Sequence, residues 1–384
     1  MIRMLTAHTD EIDDPRAACA EVLERLRAAE LPENATGILT CHIDYVKNGT
    51  VAAICGQLPF DVIGGNTMIG DTPEGGGEFG LSIAVLAGDG VSFSSGVSAP
   101  LSHEQEGPIE ALYEKVAAGL CGEPVFAVCF APMLLHVSGD TAVDILGLVS
   151  GNLPIFGMIA ADYTDDLREP LTIYNGEAYA DRLALLLLSG DIRPDFFSAA
   201  IPPEKILKQK AIITNSSGNI LKEVNNLPAV KYLESLGLAK KGVVEGAHAI
   251  PIMLDFEDGS SPIARTIFKS TPEGHVVCGG SMPIGATLGI ASIDFDDVVQ
   301  TASSLMQACL DTGSGCGALV FSCIGRNLAL ELENMAEVAC VRETLMGKIP
   351  YLFSYSAGEI CPLVAGGACV NRFHNDSIVA CVLR

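Results

Sequence analysis

The sequence predicts an α/β protein in which mixed sheets are backed by helices. Apolar strand-like runs alternate with helical patterns along the chain, and each series of runs closes with hairpin-forming segments. Three landmarks also recur in the same order: a cysteine at the end of the second strand, a proline before the third, and an apolar closing strand. The landmark residues are Cys41, Cys129 and Cys323 for the cysteine, and Pro59, Pro154 and Pro350 for the proline. This order predicts three βαβαβββ-like repeats.

The first predicted repeat begins with a strand at 3–9 and a helix that Pro15 opens. A second strand at 36–45, a short helix and a third strand at 60–70 follow. We expect the runs on either side of 88–90 to form a hairpin, because Gly-Asp-Gly separates them.

The second predicted repeat has a helix at 105–120, a strand at 123–133, a helix at 140–149 and a strand at 153–163. The third follows the same order over 286–384. Direct β-α-β connections of this kind imply parallel strands, and ligands of such sheets bind beyond the carboxyl ends of those strands.

A lysine-rich insertion at 202–285 separates the second repeat from the third, since eight of the eleven lysines fall between Lys205 and Lys269. We expect a small α+β module that acts as a lid or an interdomain surface. The predicted domains are 1–201, with two repeats, and 202–384, with the insertion and the third repeat. The three repeats could form a ring, or the first two could form a sandwich beside a third domain. The sandwich is favoured, because the insertion separates the third repeat from the other two.

Composition excludes several classes of function. A net charge of −24 over 384 residues leaves no basic groove, which argues against nucleic-acid binding. The thirteen cysteines are odd in number and form no C-x-x-C pair, as expected for reduced thiols rather than disulfides or a zinc site. The apolar run at 183–190 is too short to span a bilayer. We therefore expect a soluble, cytoplasmic protein with no membrane insertion.

Six motifs are distributed along most of the chain: GGNTMIG (64–70), GLSIAVLAGDGV (80–91), ITNSSGNILKEVNNLPAVKYLESLG (213–237), FSCIGR (321–326), YSAGEI (355–360) and FHNDS (373–377). They resemble motifs of FIST proteins, in which an N-terminal FIST domain precedes a C-terminal one. The resemblance implies a sensory input protein that binds a small ligand, with amino acids as one proposed ligand class. Some family members resemble haem-binding sensors of nitric oxide. Because no kinase, cyclase or receptor segment follows the motifs, we expect output through a separate partner such as a histidine kinase.

The predicted ligand-binding residues lie at strand ends of the third repeat and in the GGNTMIG turn. They are Ser322, Cys323, Arg326, Tyr355, Glu359, His374, Asn375, Asn66 and Thr67. Arg326 can grip a carboxylate in a bidentate pair, and Glu359 can hold an ammonium group or pair with Arg326 itself. Such a pair suits a zwitterion such as an amino acid. The second repeat ends its strand in the apolar Phe130, Ala131 and Pro132, so the third repeat is the favoured site.

Two alternatives involve His374. Imidazole can bind haem iron or a metal, although a histidine in a turn more commonly makes local hydrogen bonds. Cys323 with His374 as base would suit a hydrolase of small amides. Since Cys41 and Cys129 occupy the same place in the other repeats, core packing is favoured for Cys323, and we expect no enzyme and no catalytic residue.

His8, Asp10, His42 and Asp44 are weak candidates for a metal site. Strand alternation would place His42 and Asp44 on one face, with His8 at the end of the neighbouring strand. The spacing lacks an H-x-x-x-H or H-E-x-x-H pattern. Solvated strand ends are therefore the favoured interpretation, and no metal is predicted.

Overall fold

The computed structural model describes residues 2–27, 31–32, 34–134, 137–162, 169–244, 250–313 and 315–384, with Arg27 by its backbone alone. The helices are α1 (Pro15–Arg27), α2 (Ile43–Lys47), α3 (Thr50–Cys55), α4 (Glu106–Ala118), α5 (Gly139–Val149), α6 (Ala229–Ser235), α7 (Phe295–Asp311), α8 (Ile324–Ala329) and α9 (Ala336–Leu345). A 3-10 turn covers Pro203–Lys205. The predicted α/β class is confirmed.

Among the described residues, twelve strands precede residue 191 and belong to the three large sheets. They are β1 (Arg3–Thr9), β2 (Ala35–Cys41), β3 (Val62–Asn66), β4 (Gly70–Thr72), β5 (Gly75–Gly77), β6 (Leu81–Ala87), β7 (Val91–Val97), β8 (Pro124–Ala131), β9 (Ile155–Ile159), β10 (Thr172–Tyr174), β11 (Glu177–Tyr179) and β12 (Ala184–Gly190). The strand predicted over 153–163 is thus shorter than expected, and Tyr163 lies outside the described residues.

The remaining strands include those of the insertion. They are β13 (Pro194–Ala199), β14 (Ile206–Ser217), β15 (Ile220–Val224), β16 (Leu227–Pro228), β17 (Ala239–Lys240), β18 (Val243–Val244), β19 (Ile252–Asp255), β20 (Ile263–Arg265), β21 (Ile267–Ser270), β22 (Val276–Cys278), β23 (Thr287–Ala291), β24 (Gly317–Cys323), β25 (Tyr351–Ser356), β26 (Gly358–Ala365), β27 (Ala368–His374) and β28 (Ile378–Leu383).

Three six-stranded sheets share one plan. Their orders are β1-β6-β2-β3-β10-β11 (sheet 1), β7-β12-β8-β9-β26-β27 (sheet 2) and β13-β28-β24-β25-β4-β5 (sheet 3). Each has one parallel pair, β2–β3, β8–β9 or β24–β25, and otherwise antiparallel neighbours. Each sheet also ends in a hairpin from another part of the chain, so β4–β5, β10–β11 and β26–β27 link the sheets in a closed cycle. The predicted sandwich with a third domain beside it is therefore wrong.

The hairpin predicted around 88–90 is also wrong. Strand β6 pairs with β1 and β2 in sheet 1, whereas β7 pairs with β12 in sheet 2. Strands β27 and β28 are also consecutive along the chain and also belong to different sheets, because β27 pairs with β26, whereas β28 pairs with β24 and β13. The turn residues only redirect the chain from one sheet to the next.

The inner faces of the three sheets share one apolar core. Phe156 stacks on Phe321 at 5.2 Å between ring centroids, and Phe130 meets Phe321 edge-on at 6.0 Å. The outer faces are covered by α1–α3 on sheet 1, α4–α5 on sheet 2, and α7 with α9 on sheet 3. Among the described residues, no helix is long and apolar enough to cross a membrane.

The insertion and β23 form one antiparallel sheet, in the order β20-β19-β23-β14-β15-β22-β21, with β16 on β15 and a separate β17–β18 ladder. The prediction that residues 286–291 open the third repeat is therefore wrong, because β23 pairs with β14 and β19 of the insertion. It has its own apolar core around Ile213, Tyr232 and Leu254. These antiparallel pairings, together with α6, form the small α+β module that the sequence predicts for this segment.

Candidate functional site

The polar side chains at the ends of β24 and β25 converge on Glu337 of α9. Ser322 Oγ and Tyr355 OH each donate to Glu337 Oε2 at 2.9 Å. Arg326 donates to Glu337 Oε1 from Nε at 2.9 Å and from Nη2 at 2.6 Å. Both charged side chains are fully buried, and burial raises the pKa of Tyr355 well above its usual value. We call Ser322, Arg326, Glu337 and Tyr355 the Glu337 network.

The guanidinium of Arg326 also contacts the chain around it. Nη2 donates to the Val298 carbonyl and to Thr301 Oγ1 at 2.9 Å, both in α7, and Nη1 reaches the Ala200 carbonyl at 3.4 Å. The carboxylate partner of Arg326 is thus Glu337 rather than the expected Glu359. The network joins α7, α9 and sheet 3, and a ligand-binding role for Arg326 stays a prediction.

Glu359 is buried beside two serines. It accepts hydrogen bonds from Ser356 Oγ at 2.5 Å and Ser377 Oγ at 2.7 Å. Burial, together with the nearby Asp376 carboxyl, raises the pKa of Glu359 well above its usual value, although the two serine hydroxyls oppose the shift. This shift favours the neutral carboxyl, which is less suited than a carboxylate to hold the ammonium group of a ligand.

His374 lies buried in β27, where Nε2 is 3.0 Å from the Cys361 carbonyl oxygen. Burial lowers its pKa to about 4, so the ring is neutral near pH 7. This environment does not suit an axial haem ligand, because the ring nitrogen that would face iron already lies against a carbonyl oxygen of β26. The adjacent Asn375 pairs through its backbone with Ala264 of the insertion.

Asn66 and Thr67 connect β3 to other parts of the chain. Asn66 Nδ2 donates to the Glu169 carbonyl at 2.9 Å, and its Oδ1 accepts from the Leu171 amide at 2.6 Å. Thr67 Oγ1 donates to the Tyr355 carbonyl at 2.7 Å, which ties sheet 1 to sheet 3. These contacts give the predicted GGNTMIG residues structural partners.

The four weak metal candidates make local contacts. His8 lies 2.9 Å from Ser82 Oγ through Nδ1 and 2.7 Å from Asp10 Oδ1 through Nε2. His42 caps α2 by accepting from the Asp44 amide at 3.3 Å, so the predicted shared strand face of His42 and Asp44 is wrong. Within the described ranges, no group of three or more metal-ligating side chains could hold a metal ion.

A cavity of about 660 Å³ lies where sheet 2, sheet 3 and the insertion meet. Its floor is formed by the ends of β8, β9, β24 and β25, the location that parallel strand pairs favour for ligands. The floor residues are Ala131, Pro132, Ile159, Cys323, Gly325 and Ala357. Ends of α4 and α5 form the side walls, and the roof comes from the insertion. The roof residues are Asn219, Thr266, Ile267, Phe268, Lys269, Val277 and Gly279.

Contacts along β20 hold the insertion over the cavity. Arg265 donates to Asp140 Oδ1 and to the Phe373 carbonyl, both at 2.7 Å. Asp140 also accepts from the Ser281 amide at 2.7 Å, and Thr266 Oγ1 donates to Asp376 Oδ2 at 2.9 Å. We call these contacts the insertion seam. They join the roof to α5 of the sheet 2 layer and to the turn that leads into β28.

Asp376 lies beneath the floor at Gly325. Its Oδ1 atom has no hydrogen-bond partner among the described residues, and burial raises the pKa of the carboxyl to about 6. A Cβ atom added at Gly325 would lie 2.1 Å from this oxygen. Glycine is therefore required at 325 by the close approach of the two segments.

Cys323 is the predicted ligand-binding residue that lines the cavity. Burial, with the nearby Glu359 and Asp376 carboxyls, raises its thiol pKa well above the usual value. A nucleophilic cysteine needs the opposite shift. Its place at the floor agrees with the strand-end rule, but its chemistry is that of a neutral thiol.

Sequence reasoning missed most of this cavity. The apolar end Ala131–Pro132, expected to carry no site, forms part of its floor. The roof residues belong to segments that the sequence marked only as strands of a lid-like module. Two signals could have located the cavity. One is the rule that ligands bind beyond the carboxyl ends of parallel strands, applied to the second repeat as well as the third. The other is the insertion, which the sequence predicts as a lid or an interdomain surface.

Comparison with known proteins places the chain in a family. A FIST N domain model matches residues 35–227, and a FIST C domain model matches residues 220–362. The chain belongs to the FIST family. The predicted resemblance is confirmed, and FIST domains are associated with sensory roles in signal transduction and with small-ligand binding.

Structural similarity adds little to this assignment of family. The structure is similar to that of a cyanuric acid hydrolase from A. caulinodans, with a TM-score of 0.40 and 8% sequence identity. The alignment covers 100% of this chain and 99% of the hydrolase chain. A similarity at that level carries no argument about function. A search of curated proteins finds no significant match.

Proposed function

We propose that this FIST protein is a sensor that binds a small ligand in the cavity and passes the bound state to a separate signalling protein. The observation that carries the proposal is the cavity itself, with a floor from sheets 2 and 3 and a roof from the insertion. Its volume of about 660 Å³ falls within the range of ordinary small-molecule sites. A ligand there touches parts that are far apart in sequence.

The roof can transmit occupancy because it belongs to a module with its own sheet and core. A ligand that contacts both floor and roof favours the docked insertion by its differential affinity for that state. The seam residues Arg265 and Thr266 define the docked state in the structure. Ligand binding would therefore change the exchange and accessibility of β20–β22.

The insertion also offers a surface for a partner. Five of its large apolar side chains are about half exposed or more: Leu207, Ile212, Leu227, Val243 and Ile284. Exposed apolar groups of this kind are typical of protein contact sites when they are clustered. A histidine kinase is one class of partner that would read the position of the insertion.

The proposal still includes amino acids as ligands, but the pair of residues predicted to bind the zwitterion, Arg326 and Glu359, has less support. Arg326 is paired with Glu337, and Glu359 lies between two serines. A haem-based sensor and a cysteine hydrolase are disfavoured for the reasons given for His374 and Cys323. The coarser role, binding of a small ligand, does not depend on any of them.

The proposal is tested by hydrogen exchange with mass spectrometry during a ligand screen. The panel contains the common amino acids, haemin, uncharged aromatic and aliphatic compounds, and an extract of the protein's own co-purified small molecules. A true ligand slows exchange in 263–270 and 276–282, with no change in α1 on the far side of sheet 1. Ligands that protect only other regions, or a panel and extract with no effect, would overturn the proposal.

A further inference from the structure

We infer that the cavity takes an uncharged ligand with a predominantly hydrocarbon or aromatic body. This inference rests on the proposed function and specifies the chemistry of the same site. Three observations support it: the lining is largely apolar, the buried arginines near it are already paired with carboxylates, and most of its polar side chains are already hydrogen-bonded within the protein.

The apolar lining comes from every part that surrounds the cavity. Ile109 of α4, Ile159 of β9 and Phe373 of β27 belong to the sheet 2 layer, and Ile267 and Phe268 belong to the roof. Burial of a hydrocarbon surface gains about 25 cal/mol per Å² removed from water. An apolar body would therefore supply most of the binding free energy, whereas a small polar zwitterion would leave this surface unused.

The buried arginines near the cavity already have carboxylate partners. Arg265 is bound to Asp140, and Arg326 to Glu337. Of the lining residues that the structure describes, Asp162 and Lys269 are charged. Asp162 accepts a hydrogen bond from the Glu169 amide.

Lys269 does not supply a counter-charge inside the cavity, because its side chain is exposed to solvent. An exposed ion pair contributes little to binding, because both charges stay solvated. A ligand carboxylate held inside would lose its hydration without a buried cation among the described lining residues. An anionic ligand is therefore penalised relative to a neutral molecule of the same shape.

Most polar side chains of the lining already bind other protein groups. Gln105 Nε2 donates to the Leu101 carbonyl at 2.7 Å, and Asn219 Nδ2 to the Cys278 carbonyl at 3.0 Å. Ser138 Oγ donates to Asp140 at 2.8 Å, and Thr266 Oγ1 to Asp376 at 2.9 Å. The neutral thiol of Cys323 adds a soft, polarisable contact at the floor. The cavity therefore offers a ligand mainly apolar contacts, because these hydrogen-bond donors of the lining already have partners in the protein.

Two fluorescent probes with the same aromatic body provide the test. N-phenyl-1-naphthylamine is uncharged, and 1-anilinonaphthalene-8-sulfonate adds one sulfonate. Each is titrated into the full-length protein and into two variants. Ala142→Phe adds a ring at a lining position of α5, and Ala111→Phe adds the same ring at an exposed position of α4. The melting temperature of each variant, measured without probe, checks that it is folded.

We expect the uncharged probe to bind at least ten times more tightly than the sulfonate. We also expect Ala142→Phe to weaken the uncharged probe at least tenfold, and Ala111→Phe to leave it unchanged. Equal or tighter binding of the sulfonate at a site that Ala142→Phe blocks would overturn the inference and leave the proposed function standing. The same holds if an amino acid protects the roof from exchange while neither probe binds. If neither probe nor any panel compound binds, both proposals fail.

Discussion

Two neighbouring regions at the carboxyl end of sheet 3 use their residues in different ways. In the Glu337 network, four donor groups from Ser322, Arg326 and Tyr355 meet one buried carboxylate. A few residues away, Cys323 and Gly325 face a cavity of about 660 Å³. Arg326 and Cys323 are separated along the chain by two residues, yet the first is enclosed by protein and the second borders open space.

The difference shows where a ligand site should be sought. A buried polar cluster whose hydrogen bonds are complete is typical of a group that fixes the fold, because a ligand would have to replace existing partners. A site needs unfilled volume beside a limited set of groups. The network therefore holds α7, α9 and sheet 3 together, and the cavity is the candidate for binding.

Removal of the network carboxylate should have the largest effect on stability. Glu337→Ala leaves the Arg326 guanidinium buried without its counter-charge, which should cost about 3–5 kcal/mol of unfolding free energy. Urea denaturation measures the loss. Glu333→Ala, an exposed neighbour, is the control and should change stability by about 0.5 kcal/mol at most. Similar values for both variants would contradict the structural role of the network.

Loss of the seam arginine should cost less and act locally. Arg265→Ala removes the partner of Asp140, which keeps its bonds from Ser138 and the Ser281 amide. We expect the unfolding free energy to fall by about 3 kcal/mol, near the lower end of the range for a broken buried salt bridge. Hydrogen exchange should accelerate in 263–270 before it does in β24 or β25. Uniform acceleration over sheet 3 would show that the insertion does not open as a unit.

Gly325→Ala tests the close approach beneath the floor. The new Cβ would lie 2.1 Å from Asp376 Oδ1, and overpacking of this kind costs about 1–3 kcal/mol. Gly77→Ala is the matched control, because the nearest atom to its Cβ is Asp10 Oδ1 at 3.9 Å. Thermal unfolding of both variants measures the difference. An unchanged melting temperature for Gly325→Ala would refute the tight contact.

Asp376 should make stability depend on pH in a direction opposite to that of most carboxylates. Its folded pKa is raised to about 6, above the unfolded value of about 3.9. The folded state thus binds the proton more tightly, so the stabilising effect is greatest below about pH 4 and is lost as the pH rises to about 6.

Asp376→Asn removes this titration and suits the local backbone, since asparagine tolerates the positive φ of 48° at this position. Relative to the wild type, the unfolding free energy of the variant should rise by about 2 kcal/mol between pH 4 and pH 7. Cys323 and Glu359 are present in both proteins, but the variant also removes the carboxyl that helps to raise their pKa values, so both contribute to the difference. A constant difference across this range would mean that Asp376 stays ionised.

Local features of the sequence predicted much of the secondary structure but not the pairing of strands. The helix predicted at 140–149 forms as α5, and the Ser138 side chain caps it by accepting from the Asp140 amide. The cycle of exchanged hairpins could not be predicted, because strand partners depend on contacts between distant segments. Turn residues at 88–90 predict that the chain bends, not which sheet the next strand joins.

The site was harder to predict than the fold for a related reason. Arg326 and Glu359 share the strand-end motifs, but the carboxylate that reaches Arg326 comes from Glu337 on a helix. The cavity depends on how the insertion lies over Ala131 and Cys323, and no local pattern encodes that distance. The motifs were therefore sufficient to predict the family. The residues that line the cavity depend on how sheet 2, sheet 3 and the insertion pack together.

The most direct test measures binding and stability together in one variant from each region. Glu337→Gln keeps the size of the side chain and removes its charge; Ala142→Phe fills part of the cavity. Affinity for N-phenyl-1-naphthylamine and free energy of unfolding are measured for both. We predict that Glu337→Gln lowers stability and leaves affinity within twofold of the wild type, whereas Ala142→Phe weakens binding at least tenfold with little loss of stability. Loss of binding in folded Glu337→Gln, with normal binding in Ala142→Phe, would contradict the account.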